Sequence, residues 1–332
     1  MITLAKRPWA AALAAAIGLL AFAPVNAATG CDRTCLIGMA DRYVDALVAH
    51  DASRLPLTRD VKFTENLAPL TIGKEGLWRT ADGRRDFNIY AADPARGDVV
   101  WIGIVKENGT PEMIGVRLKV TGRRISEVET VVGRVGLTAA ATVAGPRPDF
   151  ARVEPASSRL PREKLIAIAS SNWDAMEQGD GKLAPYAADC ERYDNGRKTT
   201  SGPAPSPAAG SEPAAAASKD IGDLGCFGQM NSGRFKNGNK VDPRRVWAVD
   251  QEHGLVVGLY TPNVPGALHE LTLRNGQVLK MGPDEMIPFT IVQAEMFKIV
   301  NGQISRVEVV LGPRVPFGTR SPFDMKTLWE KR

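Results

Sequence analysis

The sequence predicts an α+β protein built from two copies of one unit, on three observations. First, Arg42 to Asn66, RYVDALVAHDASRLPLTRDVKFTEN, returns as SNWDAMEQGDGKLAPYAADCERYDN at Ser171 to Asn195. Asp45, Ala46, Asp51, Pro56, Asp60 and Asn66 fall on Asp174, Ala175, Asp180, Pro185, Asp189 and Asn195 without a gap. Second, helical periodicity opens the mature chain and a series of alternating strand segments follows, an order that points to an antiparallel meander and not to βαβ units. Third, Val99-Val100-Trp101-Ile102-Gly103-Ile104-Val105 has no polar side, so this strand needs cover on both faces, which two packed sheets would supply.

The chain begins with Lys6 and Arg7, an apolar run from Trp9 to Phe22 and the small-residue site Val25-Asn26-Ala27, the order of an export signal occupying residues 1–27. The run is shorter than the roughly 20 apolar residues of a membrane span. The mature protein is therefore expected in the periplasm or outside the cell. Ala28-Thr29-Gly30-Cys31 also resembles a lipoprotein processing site, which would place a lipid anchor on Cys31. Without residues 1–27, 40 basic residues face 37 acidic ones. No Lys/Arg cluster marks a nucleic-acid footprint.

Four cysteines in an exported chain allow three pairings, of which Cys31 with Cys35 and Cys190 with Cys226 is favoured. Free or lipidated thiols are the alternative. A zinc site lacks support, because His50, His253 and His269 stand at no ligand spacing from any cysteine.

Leu36, Met39, Ala40, Tyr43 and Leu47 recur at helical spacing, predicting a helix from about Leu36 to Ala49. His50 then reads as a cation near its C-terminus. Asp51, and Asp180 in the copy, stand where N-caps of short helical segments belong. Val61 to Glu65 reads as a strand and Gly73 to Thr80 as a short helix. Four strands follow at Arg85 to Ala91, Val99 to Lys106, Met113 to Val120 and Ile125 to Val132, with turn residues at Asp93 to Gly97 and Thr121 to Arg124.

In the second copy AVDQEHGLVV (Ala248 to Val257) matches Ala91 to Val100, and KIVNGQISRVEVVLG (Lys298 to Gly312) matches Lys119 to Gly133. The expected organisation is a first repeat at 31–143, a Pro-rich linker at 144–161, a second repeat at 162–313 and a tail at 314–332. Within the second repeat, residues 201–218 form an Ala/Pro-rich insert of disordered composition.

The helix, the Gly/His-Asp turn, the proline a few residues later and the final I-S-x-V-E strand resemble the SnoaL-like branch of the nuclear transport factor 2-like superfamily, here in tandem. The resemblance covers both repeats and leaves out linker, insert and tail. It implies cones in which a curved antiparallel sheet wraps the long first helix around an apolar pocket. The pocket would be lined from the helix and inner strand faces, with Asp, His, Tyr or Glu as acid and base and no cofactor. The two cones would pack sheet against sheet as a pseudo-dimer.

Tyr43 lies on the apolar stripe, where its phenol can donate to a carbonyl or alkoxide or simply fill the core. Glu65 ends the first strand, where desolvation beside Trp78 can raise its pKa toward that of a general base. A surface glutamate beside a turn is its other reading. Arg117 lies with Lys119 on the face opposite the apolar Ile114, Val116 and Leu118; it can orient an anionic or carbonyl substrate, or form a solvated or inter-repeat salt bridge. Tyr43 becomes Asn172 and Arg117 becomes Met296 in the copy, so the first cone is the expected site, with Asp194 as the counterpart of Glu65.

There is no G-x-S-x-G elbow, no H-E-x-x-H, no P-loop and no dinucleotide fingerprint, so neither cofactor nor metal is expected. Asn108-Gly109-Thr110 fits a glycosylation sequon, relevant in a eukaryotic host. Two functions stand. One is a cofactor-independent isomerase, dehydratase or lyase acting on an apolar or aromatic hydroxylated compound. The other is a binding or structural module, monomeric or homodimeric.

Overall fold

The computed structural model describes residues 30–134, 140–143, 145, 147–200 and 221–325. The export signal, the insert at 201–218 and the end of the expected tail lie outside them. Helix α1 (Arg33–Val48) starts at Asp32, whose side chain accepts from Cys35 N at 2.9 Å, and the Cys31–Cys35 disulfide brackets the same turn. The bond engages the Cys31 thiol that lipidation would need. Its buried stripe, including Leu36, Tyr43, Val44 and Leu47, lies against the first sheet. His50 leaves the helix with φ 53° and its Nδ1 lies 2.6 Å from the Trp78 carbonyl, so it fastens the next segment as well as ending the helix.

The first sheet holds β1 (Leu57–Glu65), β2 (Ala68–Pro69), β3 (Ala81–Asp93), β4 (Asp98–Glu107), β5 (Thr110–Thr121) and β6 (Arg124–Val132), in the order β2-β1-β6-β5-β4-β3. The meander is antiparallel as expected, but β1 pairs with β6 in parallel. The chain leaves β1, crosses a short 3-10 helix (Gly76–Arg79) to the far edge, and winds back until β6 lies beside β1. A short helix α2 (Pro148–Ala151) precedes α3 (Arg162–Gln178). Then come β7 (Tyr186–Asp194), β8 (Arg197–Lys198), α4 (Cys226–Asn231), β9 (Lys240–Asp250), β10 (Leu255–Val264), β11 (Glu270–Thr272), β12 (Val278–Lys280), α5 (Pro283–Met286), β13 (Phe289–Val300) and β14 (Gln303–Pro316). The second sheet runs β8-β7-β14-β13-β10-β9, strand for strand the order of the first, while β11 and β12 form a separate hairpin. Strand β14 continues through Pro316, so the segment set apart as a tail from 314 starts inside it. Its pairing with β7 ends at Val309, and Pro313 falls at the register shift against β13, where proline is tolerated.

The two halves match in detail. Asp51 and Asp180 cap their 3-10 turns by accepting from Ser53 N and Lys182 N, each at 3.0 Å. Asn66 and Asn195 both sit in the left-handed region, and their Oδ1 atoms accept from Val132 N at 2.9 Å and Leu311 N at 2.7 Å. Each half is a helix held in a curved sheet, an α+β cone.

The cones pack through their outer sheet faces. Strand β4 is buried at eight consecutive positions because Val99, Trp101 and Val105 face α1 while Val100, Ile102 and Ile104 face the other sheet. There they meet Leu255, Val257, Ala294, Met296 and Val310 in one apolar core. At about 25 cal/mol per Å² of apolar surface, a layer of this kind contributes more to stability than any single polar contact across it. Two reciprocal contacts close its edge. Asp250 Oδ2 accepts from Ala92 N and Asp93 Oδ2 from Val249 N, each at 3.1 Å. Arg33 pairs with Asp250, and Arg162 with Asp93 at 2.7 Å. This exchange of equivalent partners is the signature of a two-fold interface.

A disulfide joins Cys190 to Cys226 and fastens α4 to β7. Two bridges with no free cysteine suit an oxidising compartment. Among the described residues no helix is long and apolar enough to cross a membrane.

Candidate functional site

Among the described residues, aromatic side chains pack the interior of the first cone. Tyr43 on α1 meets Trp78 edge-to-face, ring centroids 5.5 Å apart, and both are buried beside Phe63 and Trp101. Burial pushes the Tyr43 phenol above its ordinary value, against the smaller effects of Thr130 and Trp78. Glu65 also points inward, and both its oxygens are occupied. Oε2 accepts from Leu77 N at 2.7 Å and Oε1 from Arg134 at 2.8 Å. Gly76, with φ 63°, lets the 3-10 helix press against this carboxylate, since a Cβ there would collide with it. Tyr43 and Glu65 therefore share one interior, but the carboxylate is engaged in holding the segment that carries Trp78.

Arg117 is not with them. Its neighbours Val116 and Leu118 face the helix, and the guanidinium projects from the opposite face into the seam between sheets. It donates to Asp98 at 3.0 Å, Glu127 at 2.9 Å and Glu129 at 2.7 Å, while Arg245 from the second half grips the same Glu129. Burial opposes the Arg117 charge, and Glu129, Asp98 and Glu127 outweigh it, raising its pKa. The link across the seam is made by Arg245 to Glu129, and the partners of Arg117 all lie in the first half. Its equivalent position, Met296, carries no charge, and Glu308 is matched by Arg147 from the linker at 2.5 Å.

The second cone is open. A cavity of about 670 Å³ lies between its inner sheet face and the segments around α4 and α5. Met176, Phe235, Val264, Phe289, Ile291 and Leu311 supply apolar wall. Arg192, Asp194 and Gln293 supply the polar end, on β7 and β13. Arg192 Nη1 donates to Glu295 Oε1 at 2.6 Å, and its Nε lies 3.0 Å from Asp194 Oδ1, close enough for charge pairing though out of line for a hydrogen bond. Glu295 does not line the cavity; it stands behind Arg192 with Oε2 unpartnered, and Gln293 Nε2 is likewise unpartnered. Burial raises the Glu295 carboxyl to about 7, with Arg192 pulling it down and Asp194 pushing it up. Tyr260 and Tyr186 are the other titratable groups that feel Glu295, and burial raises both phenols. An Arg set between two carboxyls can hold a polar ligand group, and the net charge of the trio falls as Glu295 ionises.

A second cavity, about 650 Å³, lies between the linker and β7. Its charged groups satisfy one another: Arg306 pairs with Asp149 at 2.8 Å, Lys198 with Glu191, and Tyr193 donates to Glu191 at 2.5 Å. Among the described residues no group of three or more His, Cys, Asp or Glu could hold a metal ion.

The sequence reading passed over Arg192, Gln293 and Glu295. The signal was present: Gln293 and Glu295 interrupt the inner-face alternation of Ile291 and Phe297, and Arg192 follows Cys190 on the inner face of β7.

A family described as a domain of unknown function, DUF8021, matches residues 158–311, the half that contains the open cavity. A crystal structure from Xanthomonas campestris pv. campestris, described as a "putative polyketide cyclase", matches at 16% identity with a TM-score of 0.25, over 45% of this chain and 90% of that one. No curated protein matches the chain.

Proposed function

We propose that this is an exported small-molecule-binding protein whose working cavity is the second cone. The observation that carries the reading is the union, in that half, of a cavity of about 670 Å³ with a polar end formed by buried Arg192 and Gln293 and half-buried Asp194. Enclosed volume, apolar wall and a few convergent polar groups are the properties of a ligand site. The first cone serves as its rigid counterpart, its interior occupied by Trp78, Tyr43 and Phe63. The SnoaL-like resemblance is compatible with this division, one repeat keeping a pocket and the other closing it.

A second reading is favoured by the Glu295 carboxyl, which titrates at about 7. In it the cavity is the site of a cofactor-independent isomerase, dehydratase or lyase acting on an apolar or aromatic hydroxylated substrate, with Asp194 at the cavity as the carboxyl that exchanges a proton with it and Arg192 held charged between Asp194 and Glu295. Binding is the better supported of the two, because Arg192 stands between Glu295 and the cavity. Catalysis by Glu65 and Tyr43 in the first cone would require the Leu77 and Arg134 contacts to be given up.

A thermal-shift screen of small aromatic and terpenoid compounds tests the assignment. Compounds that stabilise the wild type are expected to stabilise Glu65→Gln by the same increment and to lose their effect on Ile291→Trp, which fills the second cavity. Equal stabilisation of Ile291→Trp would move the site elsewhere.

A further inference from the structure

We infer that the ligand of the second cone is an anionic amphiphile, its apolar body against Ile291, Leu311 and Met176 and its negative group drawn by the unmatched cations Arg197 and Arg314 on the cavity rim. This deepens the binding reading above and rests on it.

The inference comes from counting charges around one cavity. Five basic side chains line it, Arg192, Arg197, Lys198, Arg234 and Arg314, against the carboxylates of Asp194 and Glu285. Three of the five are matched: Arg192 by Asp194 and Glu295, Arg234 by Glu285 at 2.9 Å, and Lys198 by Glu191. Arg197 and Arg314 form no salt bridge among the described residues, and both are exposed. Arg314 is nonetheless held in place. Its guanidinium lies over the Phe289 ring, 4.1 Å from the centroid, and Nη1 donates to the Asp284 carbonyl at 2.9 Å. A cation fixed by a ring and a carbonyl, with no carboxylate in contact, keeps its attraction for an incoming anion. Glu285 is depressed chiefly by its hydrogen bond from Arg234 and more weakly by Arg314, so its charge is already committed.

Arg197 sits on β8, opposite Asp194 in the β7 pairing. Arg197 thus adds positive charge beside the internally compensated Arg192, Asp194 and Glu295 group, Arg314 adds it beside Ile291, and the wall is apolar. A cleft walled by low-dielectric groups focuses such a field on its entrance. A neutral apolar compound would use the wall and gain nothing at the mouth. A cation would be repelled there. A carboxylate, sulfonate or phosphate on an apolar body uses both.

The test is a pair of fluorescent probes that differ by one charge, anilinonaphthalene sulfonate and phenylnaphthylamine, titrated into the full chain. The wild type is expected to bind the sulfonate at least about tenfold more tightly. Arg197→Gln/Arg314→Gln is expected to narrow that preference to within about twofold while leaving the neutral probe unchanged. Equal affinities in the wild type, or a preference that survives in the double variant, would overturn the inference. Ile291→Trp separates this from failure of the underlying reading: if both probes bind it as they bind the wild type, the cavity itself is the wrong site. Leu311→Trp serves the same purpose should Ile291→Trp not fold. Decanoate and decyl phosphate, added as competitors, divide carboxylate from phosphate recognition, and displacement by neither counts against an anion site.

Discussion

The two cones share a strand order and differ in what fills them. In the first, Trp101 and Val116 face each other across β4 and β5; at the matching positions of the second stand Gly258 and Glu295, also directly paired. Aromatic and glycine have changed places along the strand, since Trp101 precedes Gly103 as Gly258 precedes Tyr260. In each half a Cβ on the glycine would collide with the neighbouring ring. One order packs indole against the helix; the other leaves room for a carboxyl, Arg192 and a void. The connections differ too. Strands β4 and β5 join through Asn108 and Gly109, whereas β10 and β13 are separated by the β11–β12 hairpin and α5, which help wall the cavity. A scaffold of this kind becomes closed or open through a few inward positions and the loops at its mouth, with its ladder unchanged.

The largest contrast should come from the disulfides. Serine at both Cys190 and Cys226 opens a loop with a sequence separation of 36, and the chain-entropy account values it at about 4 kcal/mol. The Cys31–Cys35 bridge, with a separation of 4, is valued at about 2 kcal/mol. Urea denaturation of the two double variants measures the difference. Probe titration should show binding weakened only by loss of the bridge beside α4. Equal losses in both assays would erase the contrast between halves.

Next in size is Glu65→Ala. It leaves Leu77 N and Arg134 without their acceptor in the first cone, a loss of about 2–3 kcal/mol. Affinity for the anionic probe should stay at the wild-type value, and a drop in affinity would tie the first cone to ligand binding.

The smallest effect is in pH dependence. Glu295 titrates at about 7 in the fold against an ordinary value of 4.5, so the folded state retains a proton that the unfolded chain has lost. Its contribution is fully present below 4.5 and disappears as pH rises through about 7. Glu308 adds a parallel slope, because burial raises it to about 7 against the pull of Arg147. Glu295→Gln should therefore flatten part of the decline in stability between pH 5 and pH 8, measured by denaturation at each pH. An unchanged slope would mean that Arg192 keeps Glu295 ionised throughout.

Much of the architecture was legible because it repeats. Asp51 with Asp180 and Asn66 with Asn195 are local devices, a cap and a left-handed turn, whose chemistry is written in one residue and whose recurrence marks equivalent places. The two-sided apolar run of β4 announced a second layer for the same reason. The parallel pairing of β1 with β6 was not legible, since no local signal reports where a returning strand will dock. Nor was the engagement of Glu65. Its partners Leu77 and Arg134 are distant in sequence, and whether a carboxylate is free or saturated depends on both. Tyr43 and Arg117 drew attention to the first copy, while Gln293 and Glu295 break the inner-face alternation of the second.

The crossed aspartates at the edge of the sheets carry a further consequence. Asp93 supplies the acceptor for an amide of the second half, and Asp250 returns the service to the first. Neither half is self-sufficient at that edge, so the cooperative unit of unfolding is the whole pair. A chain severed in the connecting segment should yield two fragments that are each poorly soluble alone and regain structure only on being mixed.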